Sequence, residues 1–510
     1  MWKSSQRRGE SAAQGANRQP LRACTVADDS PRNNLTLTLR LAIVISLALA
    51  GQLFHARAQT ETNIYSFGGP PDGEKPRAGL VQGTNGDFYG TTFAGGATNR
   101  GVVFRITSAG SETNLYSFGA QPFDGANSSA PLVQGSNGYF YGTTINGGTN
   151  GLGAIFRISP GGSYSNLYSF QGLTNDGANP TAGLVMGSDG NFYGTTQKGG
   201  TDDFGTVFRF NTNGTETVLY SFTGPTNDGN QPLTGLVLGR DGNFYGTTFF
   251  GGITNIAGAT NGGTLGFGTV FRISPGGSYS NLYSFGSTIP DGIFPGSMTQ
   301  GSDGNFYGNA YSGGAFTNRG AVFRITPGGS ESLFYSFGSI PNDGSNASSG
   351  LMLATDGNFY GTTQKGGTND LGTVFRLSPG GSETILYSFG SQTNDGTAPL
   401  DGVIQGSDGN FYGMTQLGGS LSNGTVFKLI FTLPASRISQ IQLAGTNVVL
   451  TVSPAPGNTY QLQSTTNLAP AVWTDVAGAA ATNSVVGPLN VTNLGGAVGP
   501  QRFYRFLISP

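Results

Sequence analysis

GSDGNFYGTTQKGG, residues 187–200, is the stretch that decides the fold, because close copies of it occur seven times along the chain. The tyrosines of its central Phe-Tyr-Gly tripeptide are Tyr89, Tyr141, Tyr193, Tyr245, Tyr307, Tyr360 and Tyr412. They are separated by 52, 52, 52, 62, 53 and 52 residues, and Tyr-Ser-Phe also occurs seven times. A repeat of constant length indicates that one supersecondary unit is copied in tandem.

Each repeat is predicted to form four short strands. In the third copy the strands are 183–186, 191–197, 206–210 and a stretch ending at Phe222, separated by glycine-containing turns such as Asp189-Gly190. Four strands joined by short hairpins form an antiparallel meander, the blade of a β-propeller. Adjacent aromatic residues such as Phe192 and Tyr193 point to opposite sheet faces, so each blade can pack on both neighbours.

The two ends of the repeat region indicate how the ring closes. A fourth-strand sequence, Asn63-Ile-Tyr-Ser-Phe67, precedes the first blade, whereas the last copy ends at Lys428 without one. We therefore expect strand 62–67 to complete blade seven and to cover its open edge. An open solenoid would need atypical capping units, and none is visible. The predicted fold is all-β: a seven-bladed β-propeller over residues 59–430, followed by a small β-sandwich over 436–510.

Residues 1–58 are predicted to be an N-terminal extension and a signal peptide. Arg40 precedes the apolar run 41–50, and Ala56-Arg57-Ala58 provides small residues at a cleavage site. Ten apolar residues are fewer than the roughly 20 of a membrane-spanning helix, although an uncleaved anchor is the alternative. Residues 1–34 are Arg-rich and unpatterned, and we leave them out of the fold. The expected location is secreted, extracellular or on the outer cell surface, with no transmembrane anchor in the mature chain.

We expect the mature protein to begin at Gln59, directly after the small residues of this cleavage site. N-terminal sequencing of exported protein measures it. A start upstream of Leu41 would contradict the assignment.

The mature chain then contains neither histidine nor cysteine, because Cys24 and His55 are the only ones. It cannot form a Ser-His-Asp triad, a thiol nucleophile or a His/Cys zinc site. Its net charge is −7 without a basic run, which argues against nucleic acid as a partner. We expect no cofactor and no enzymatic activity. A carbohydrate-active enzyme that uses only Asp and Glu remains an alternative.

Aspartate is the one metal-ligating residue type that repeats. Each connection between blades contains an Asp-Gly pair, with aspartates at Asp72, Asp124, Asp176, Asp228, Asp291, Asp343 and Asp395. They are either calcium ligands or acceptors for local backbone N–H groups, the structural role that we favour. Few acids lie outside the repeat pattern, and they include Glu74, Asp87, Asp202, Asp203, Asp370, Asp401 and Asp475. Nothing in the sequence pairs them across a cleft, as a glycosidase requires.

The units at 187–200 and 205–209 resemble GloVer repeats, the tandem repeats of exported bacterial proteins called choice-of-anchor. The resemblance covers residues 62–428 and implies export and surface display, without an established activity or catalytic residues. Kelch blades are a weaker likeness. The chain departs from the pattern because it ends at Pro510 without an apolar anchor helix and basic tail. In residues 436–510, the stretches 441–452, 459–464, 472–476 and 503–507 are predicted to be strands of the small sandwich. This region is similar to modules that end many exported proteins of environmental bacteria, with Trp473 as a core residue.

The predicted ligand face carries the Asp-Gly connections and the Gly-Gly loops, which share one end of each blade. Residues just before each double glycine vary between copies, and the loop of blade four is lengthened between Gly251 and Gly268. The candidate binding residues are Phe93, Gln197, Lys198, Phe249, Phe250, Tyr311, Gln364 and Lys365. We expect a monomer that binds a glycan or a protein surface. The alternative is a structural spacer of an envelope or matrix.

Overall fold

The computed structural model contains only β-strands, turns and irregular segments. It describes residues 24–26, 59–225, 228–252, 266–286, 292–316, 318–347, 349–431, 438–444, 447–452, 459–465, 474–482, 489–493 and 502–509. The predicted signal peptide lies outside these residues. The chain divides into the compact unit 58–432 and a second unit made of 1–57 and 433–510. In the described part, no helix is long and apolar enough to cross a bilayer.

Unit 58–432 is a ring of seven four-stranded antiparallel blades, as the sequence predicts. Within blades one to six the strands follow the chain from the centre of the ring to its rim. The strands of blades one to six are Val81–Gln82, Phe88–Thr91, Val102–Ile106 and Glu112–Ser117; Val133–Gln134, Phe140–Thr144, Ala154–Ile158 and Tyr164–Ser169; Val185–Met186, Phe192–Thr196, Thr206–Phe210 and Glu216–Ser221; Val237–Leu238, Phe244–Thr248, Thr269–Ile273 and Tyr279–Ser284; Gly292–Gln300, Phe306–Gly313, Ala321–Ile325 and Glu331–Ser336; Met352–Leu353, Phe359–Thr363, Thr373–Leu377 and Glu383–Ser388.

Blade seven is completed by the N-terminal strand, which confirms the predicted closure. Its first three strands are Ile404–Gln405, Phe411–Thr415 and Thr425–Phe431. The outermost strand, Gln59–Ser66, pairs antiparallel with Thr425–Phe431, from Gln59 opposite Phe431 to Ser66 opposite Thr425. The closing strand therefore begins three residues earlier than the predicted 62–67. Both ends of the propeller lie in one sheet, and the N-terminal strand covers the edge that Thr425–Phe431 would otherwise leave unpaired.

A second, smaller sheet occurs beside most blades and was not predicted. In each of these sheets, the glycine of the Asp-Gly connection and the residue after it lie antiparallel to two residues of the Gly-Gly loop. An example is Gly73–Glu74 with Ala94–Gly95. The remaining two-stranded ribbons are Gly125–Ala126 with Asn146–Gly147, Gly177–Ala178 with Lys198–Gly199, Gly229–Asn230 with Phe250–Gly251, Gly344–Ser345 with Lys365–Gly366, and Gly396–Thr397 with Leu417–Gly418. In blade five the ribbon is continuous with Gly292–Gln300 and Phe306–Gly313.

The two aromatic residues of Phe-Tyr-Gly connect successive blades. Tyr89 of blade one stacks on Phe140 of blade two, with ring centroids 4.0 Å apart. The same contact closes the ring, since Tyr412 of blade seven lies 4.1 Å from Phe88 of blade one. The glycine after the tyrosine leaves room for a ring from the next strand: a Cβ atom on Gly90 would lie 2.6 Å from Phe104. The prediction that each blade packs on both neighbours is confirmed.

Hydrogen bonds near the channel distinguish the closing interface from the other six. At each of those six, a side chain of the second strand donates to a backbone carbonyl of the next blade, as Thr143 Oγ1 does to Ala182 at 2.9 Å. The other donors are Thr91, Thr195, Thr247, Asn309 and Thr362. Blade seven has the buried Met414 at this position. Instead, Asp401 accepts hydrogen bonds from its neighbour Gly402 N at 2.7 Å and from Gly79 N of blade one at 2.5 Å.

The second unit contains two antiparallel sheets. The four-stranded sheet consists of Cys24–Val26, Arg502–Ser509, Thr459–Thr465 and Thr474–Thr482, and the three-stranded sheet of Ile438–Ala444, Asn447–Val452 and Leu489–Asn493. The predicted single stretch 441–452 is two paired strands. The strand predicted at 472–476 begins at Thr474 and is longer. Cys24–Val26, which we left out of the fold, is an edge strand here, and Trp473 lies outside the described residues.

Candidate binding face

The loop face is the end of the ring that carries the Asp-Gly connections and the loops that begin with Gly-Gly. The ribbons join these two elements in one blade after another, and Gly96 N also donates to the backbone oxygen of Asp72 at 2.7 Å. In the left-handed conformation that closes this turn, with φ +81°, a Cβ on Gly95 would lie 2.3 Å from that oxygen. The double glycine is therefore required by the ribbon geometry.

The connection aspartates fix the loops of this face. Asp124 accepts hydrogen bonds from the Tyr116 hydroxyl at 2.6 Å, Gly119 N at 2.8 Å and Gly125 N at 2.7 Å. A tyrosine hydroxyl also donates to Asp72, Asp228, Asp343 and Asp395. Asp291 lies outside the described residues. This geometry supports the structural role over a ligand role, and no group of three metal-ligating acids occurs among the described residues. Calcium binding stays the untested alternative to this structural role.

The opposite end of the ring is made of tight hairpins. Asp189 accepts hydrogen bonds from Asn191 N, Asn191 Nδ2 and the Tyr193 hydroxyl. Although burial acts to raise the pKa of Asp189, these hydrogen bonds hold it below its ordinary value. In the first two blades Asn85 and Asn137 replace the aspartate and donate to the equivalent tyrosines. The substitution of Asp by Asn fits a turn that needs a polar side chain rather than a charged ligand.

The candidate residues all lie on the loop face, distributed over five blades. Lys198 and Lys365 occupy equivalent ribbon positions of blades three and six and are exposed. The preceding residues, Gln197 and Gln364, are half-buried, as are Phe93 of blade one and Tyr311 of blade five. The structure therefore places the predicted residues at one level of the ring but does not gather all of them at one point.

An aromatic cluster forms where blades four and five meet. Phe249 stacks on Phe294, with centroids 4.9 Å apart and planes at 14°, and Phe250 lies edge-on to both rings. Phe294 has a φ of +60°, which is unfavourable for an aromatic residue. The equivalent positions of blades two, three and six carry asparagine, with φ between +54° and +58°. Phe294 was not among the predicted residues, and residues 253–265 of the long loop lie outside the described residues.

Exposed apolar side chains concentrate on the loop face. Of the eight large apolar residues that are exposed in the described part of the chain, seven lie in connections, ribbons or Gly-Gly loops: Phe123, Leu173, Phe316, Ile340, Leu371, Leu417 and Leu421. The eighth, Leu333, is on the outermost strand of blade five. Phe123 is 65% exposed and Leu421 60%. An apolar concentration on one face is typical of an interaction surface.

A cavity of about 340 Å³ lies at the centre of the ring, lined by all seven blades. Its lining residues lie just before or at the start of the innermost strands, the end of the channel nearer the loop face. Among the described residues that line it, Arg77 and Asp401 are the charged ones. Asp401 is half-buried, and its removal from water raises its pKa although two backbone N–H groups donate to it. Arg77 lies over the Phe93 ring, with Cζ 3.7 Å from the centroid.

Partly buried carboxyl pairs, here called junction pairs, occur near the rim. Each joins a glutamate of the outermost strand to the connection aspartate of the same blade: Glu61 with Asp395, Glu112 with Asp72, Glu216 with Asp176 and Glu383 with Asp343. Burial and then the aspartate charge raise the glutamate pKa to about 7 for Glu61 and Glu112, and to about 8 for Glu216 and Glu383.

Blades two and four have a tyrosine instead of this glutamate. Tyr164 stacks on Tyr116 with ring centroids 3.9 Å apart, and Tyr279 stacks on Tyr220 with centroids 3.8 Å apart. Tyr116 and Tyr220 are the tyrosines that donate to the connection aspartates. Glu331 holds the position in blade five, where the connection's Asp291 lies outside the described residues. The junction pairs are therefore a property of particular blades, whereas the propeller geometry is common to all of them.

The family model of the Gloeobacter/Verrucomicrobia repeat matches residues 48–259 and 256–427. The chain belongs to this family. The GloVer resemblance of the sequence analysis is thereby confirmed. No curated protein is significantly similar to this Gloeobacter/Verrucomicrobia repeat protein.

Several solved structures resemble the Gloeobacter/Verrucomicrobia repeat protein at low identity. A putative 6-phosphogluconolactonase from Bacteroides uniformis is 14% identical, with a TM-score of 0.41, over 80% of this chain and 95% of that one. PorZ of Porphyromonas gingivalis, a surface component of the type-IX secretion system, is 14% identical, with a TM-score of 0.45, over 87% and 60% of the two chains. A PL25 ulvan lyase is 13% identical, with a TM-score of 0.40, over 70% and 94%. These distant likenesses carry no argument about function.

Proposed function

We propose that the loop face is a binding surface, and that the protein is an exported, non-catalytic scaffold on the cell surface or outside the cell. The observation that carries this proposal is the position of the exposed large apolar residues: among the described residues, seven of the eight lie on the loop face. Exposed apolar groups on a rigid scaffold favour association with a partner because binding removes them from water. A glycan or a protein surface is the ligand class, since both present apolar patches beside polar groups.

Three of the acids outside the repeat pattern have contacts that support the absence of catalysis. Asp203 and Asp370 accept hydrogen bonds from Gly199 N and Gly366 N, each at 2.8 Å, and so stabilise their own loops. Asp401 accepts two backbone hydrogen bonds at the closing interface. A general acid or nucleophile needs a carboxyl group directed at a substrate. These carboxylates serve as backbone acceptors instead.

Changing Phe123, Leu173 and Leu421 to serine is expected to weaken ligand binding at least tenfold. The matched control is Leu333→Ser, which removes an exposed leucine away from the loop face. Because all four residues are exposed, each change is expected to alter stability by only about 0.5 kcal/mol. The measurement is a glycan and peptide array probed with protein that begins at Gln59, followed by affinity measurements on the strongest hit.

The aromatic cluster provides a second variant, Phe249, Phe250 and Tyr311 to alanine. Since Phe249 stacks on Phe294, this variant is also expected to lose stability, and its melting temperature must be measured beside its affinity. Undiminished array binding by both triple variants would refute the proposed face. If the array yields no hit, the spacer hypothesis takes its place.

A further inference from the structure

Arg77 is a cation without a counter-ion in the central cavity. Its guanidinium group forms no ion pair or hydrogen bond with the described residues, and its Nε atom is buried without a partner. Burial lowers the pKa of Arg77, so its surroundings penalise the charge without compensation from an acid. A cationic group that is partly removed from water usually has an acidic or hydrogen-bonding partner. The missing partner of Arg77 points to a ligand.

The arginine is particular to one copy of the repeat. Comparison of the seven copies places Ser129, Thr181, Leu233 and Leu400 at the position of Arg77, and none of these is charged. All four line the same cavity. A residue required by the propeller itself would recur in several blades, as the connection aspartates do. The position of Arg77 in a single blade therefore favours a task other than support of the ring.

The guanidinium group is already oriented. It lies over the face of Phe93, with Cζ 3.7 Å from the ring centroid, and this contact stabilises a cation while leaving its planar edge available for hydrogen bonds. Such an edge donates two parallel hydrogen bonds to the oxygens of a carboxylate, sulfate or phosphate group. Phe93 is a predicted binding residue, and the structure gives it the role of holding Arg77.

Asp401 shares the cavity but does not neutralise Arg77. Its two oxygens accept hydrogen bonds from Gly79 N and Gly402 N, and no ion pair joins it to the arginine within the described residues. The remaining lining residues are uncharged. The cavity volume of about 340 Å³ is at the lower end of the range for small-molecule sites, enough for one acidic residue of a longer ligand.

We propose that the central cavity binds an oxyanion group, with Arg77 as the residue that recognises it and Phe93 as the residue that positions Arg77. The inference rests on the proposed function in that the cavity lies at the loop-face end of the channel. It adds the ligand chemistry: a carboxylate, sulfate or phosphate group on a partner that covers the loop face. An acidic glycan and an acidic peptide are two sources of this group.

The test titrates the full processed chain with four probes: glucuronate, sulfate, inorganic phosphate and N-acetylglycine. Glucose at equal concentration is the uncharged control, and ionic strength is held constant with chloride. We expect at least one probe to raise the melting temperature saturably, with a Kd measurable by calorimetry, and glucose to have no effect. A higher affinity for glucuronate than for N-acetylglycine indicates an acidic glycan, and the reverse order of affinities indicates a peptide carboxylate.

Arg77→Gln is expected to lower the affinity for the strongest-binding probe at least tenfold. Arg77→Lys is expected to lower it less, because lysine keeps the charge without the planar edge. The melting temperature of each variant without ligand establishes that the ring is intact. No saturable response to any probe, or an equal response from Arg77→Gln, would overturn the inference. If the loop-face variants lose array binding but no anion probe gives a response, this inference is refuted and the proposed function is not. If anions bind through Arg77 but the loop-face variants keep their array binding, the proposed function is refuted and this inference is not.

Discussion

Deletion of residues 59–66 is expected to abolish the cooperative thermal unfolding of the propeller and to cause aggregation. The deletion removes a strand that pairs with Thr425–Phe431 through seven residue pairs. It also removes Ile64 and Tyr65, which pack on the blade-one core that contains Phe67 and Phe104. Lost hydrogen bonds of about 1 kcal/mol each and lost apolar burial of about 2 kcal/mol per side chain amount to roughly 10 kcal/mol. That is comparable with the stability of a whole domain.

The control for this deletion moves the strand instead of removing it. Residues 59–66 are inserted after Phe431 through a Pro-Gly-Gly hairpin, the connection that other blades use, with the remainder of the chain unchanged. We expect this variant to recover a cooperative transition, because blade seven again has four strands. Scanning calorimetry and light scattering measure both effects. A deletion variant that melts like the parent would show that the ring is held by another contact.

The melting temperature of the propeller is expected to fall as the pH rises from 5 to 8. The junction-pair glutamates have an ordinary pKa of 4.5 in the unfolded chain and pKa values of about 7 or 8 in the folded protein. The folded state therefore holds more protons over this interval. Its stability from these groups is complete below pH 4.5 and is lost as the pH passes through 7 to 8.

The expected magnitude follows from the linkage relation. One pKa unit corresponds to about 1.4 kcal/mol, but solvent screening of the half-exposed groups reduces it, so we expect about 1 kcal/mol from each of the four pairs. The hairpin aspartates Asp189, Asp241 and Asp303, whose pKa values are lowered, act in the opposite direction below about pH 4. The stability maximum is therefore expected near pH 5.

Replacement of all four glutamates by glutamine should flatten this dependence. A sharper single variant is Glu216→Tyr, because blades two and four carry tyrosine at this position, and it should remove about a quarter of the slope. Thermal melts at constant ionic strength between pH 5 and 8 provide the measurement. A melting temperature that rises over this range, or an unchanged slope in the quadruple variant, would contradict the assignment.

The fold could be predicted because its determinants repeat. Glycines at hairpins and the Phe-Tyr-Gly tripeptide mark each strand, and the surplus sequence before blade one indicates the closure. The two-residue ribbons could not be predicted, since pairing across a connection and a loop leaves no periodic pattern. Strand bounds such as 183–186 against the observed Val185–Met186 differ because the sequence does not show where ladder hydrogen bonds begin.

The candidate site was harder to predict, because single-copy residues are hidden among repeated ones. Phe93 and Phe249 were found from the variation before the double glycine. Arg77 and Phe294 were missed, although comparison of the copies position by position shows both to be exceptional. Asp401 was noted as an acid outside the pattern, but its hydrogen bond to Gly79 spans 322 residues, a distance that no local motif reveals.

Ring closure also determines when, relative to synthesis, the propeller can finish folding. Residue 59 pairs with residue 431, so the first strand of the propeller to be synthesised waits for nearly all of the others before its partner exists. Until then the nascent chain has an unpaired strand at its N-terminus and an unpaired sheet edge in the blade that is being completed. If the chain crosses a membrane before its synthesis is complete, the ring is still open, and the last step of folding takes place in the compartment in which the chain arrives.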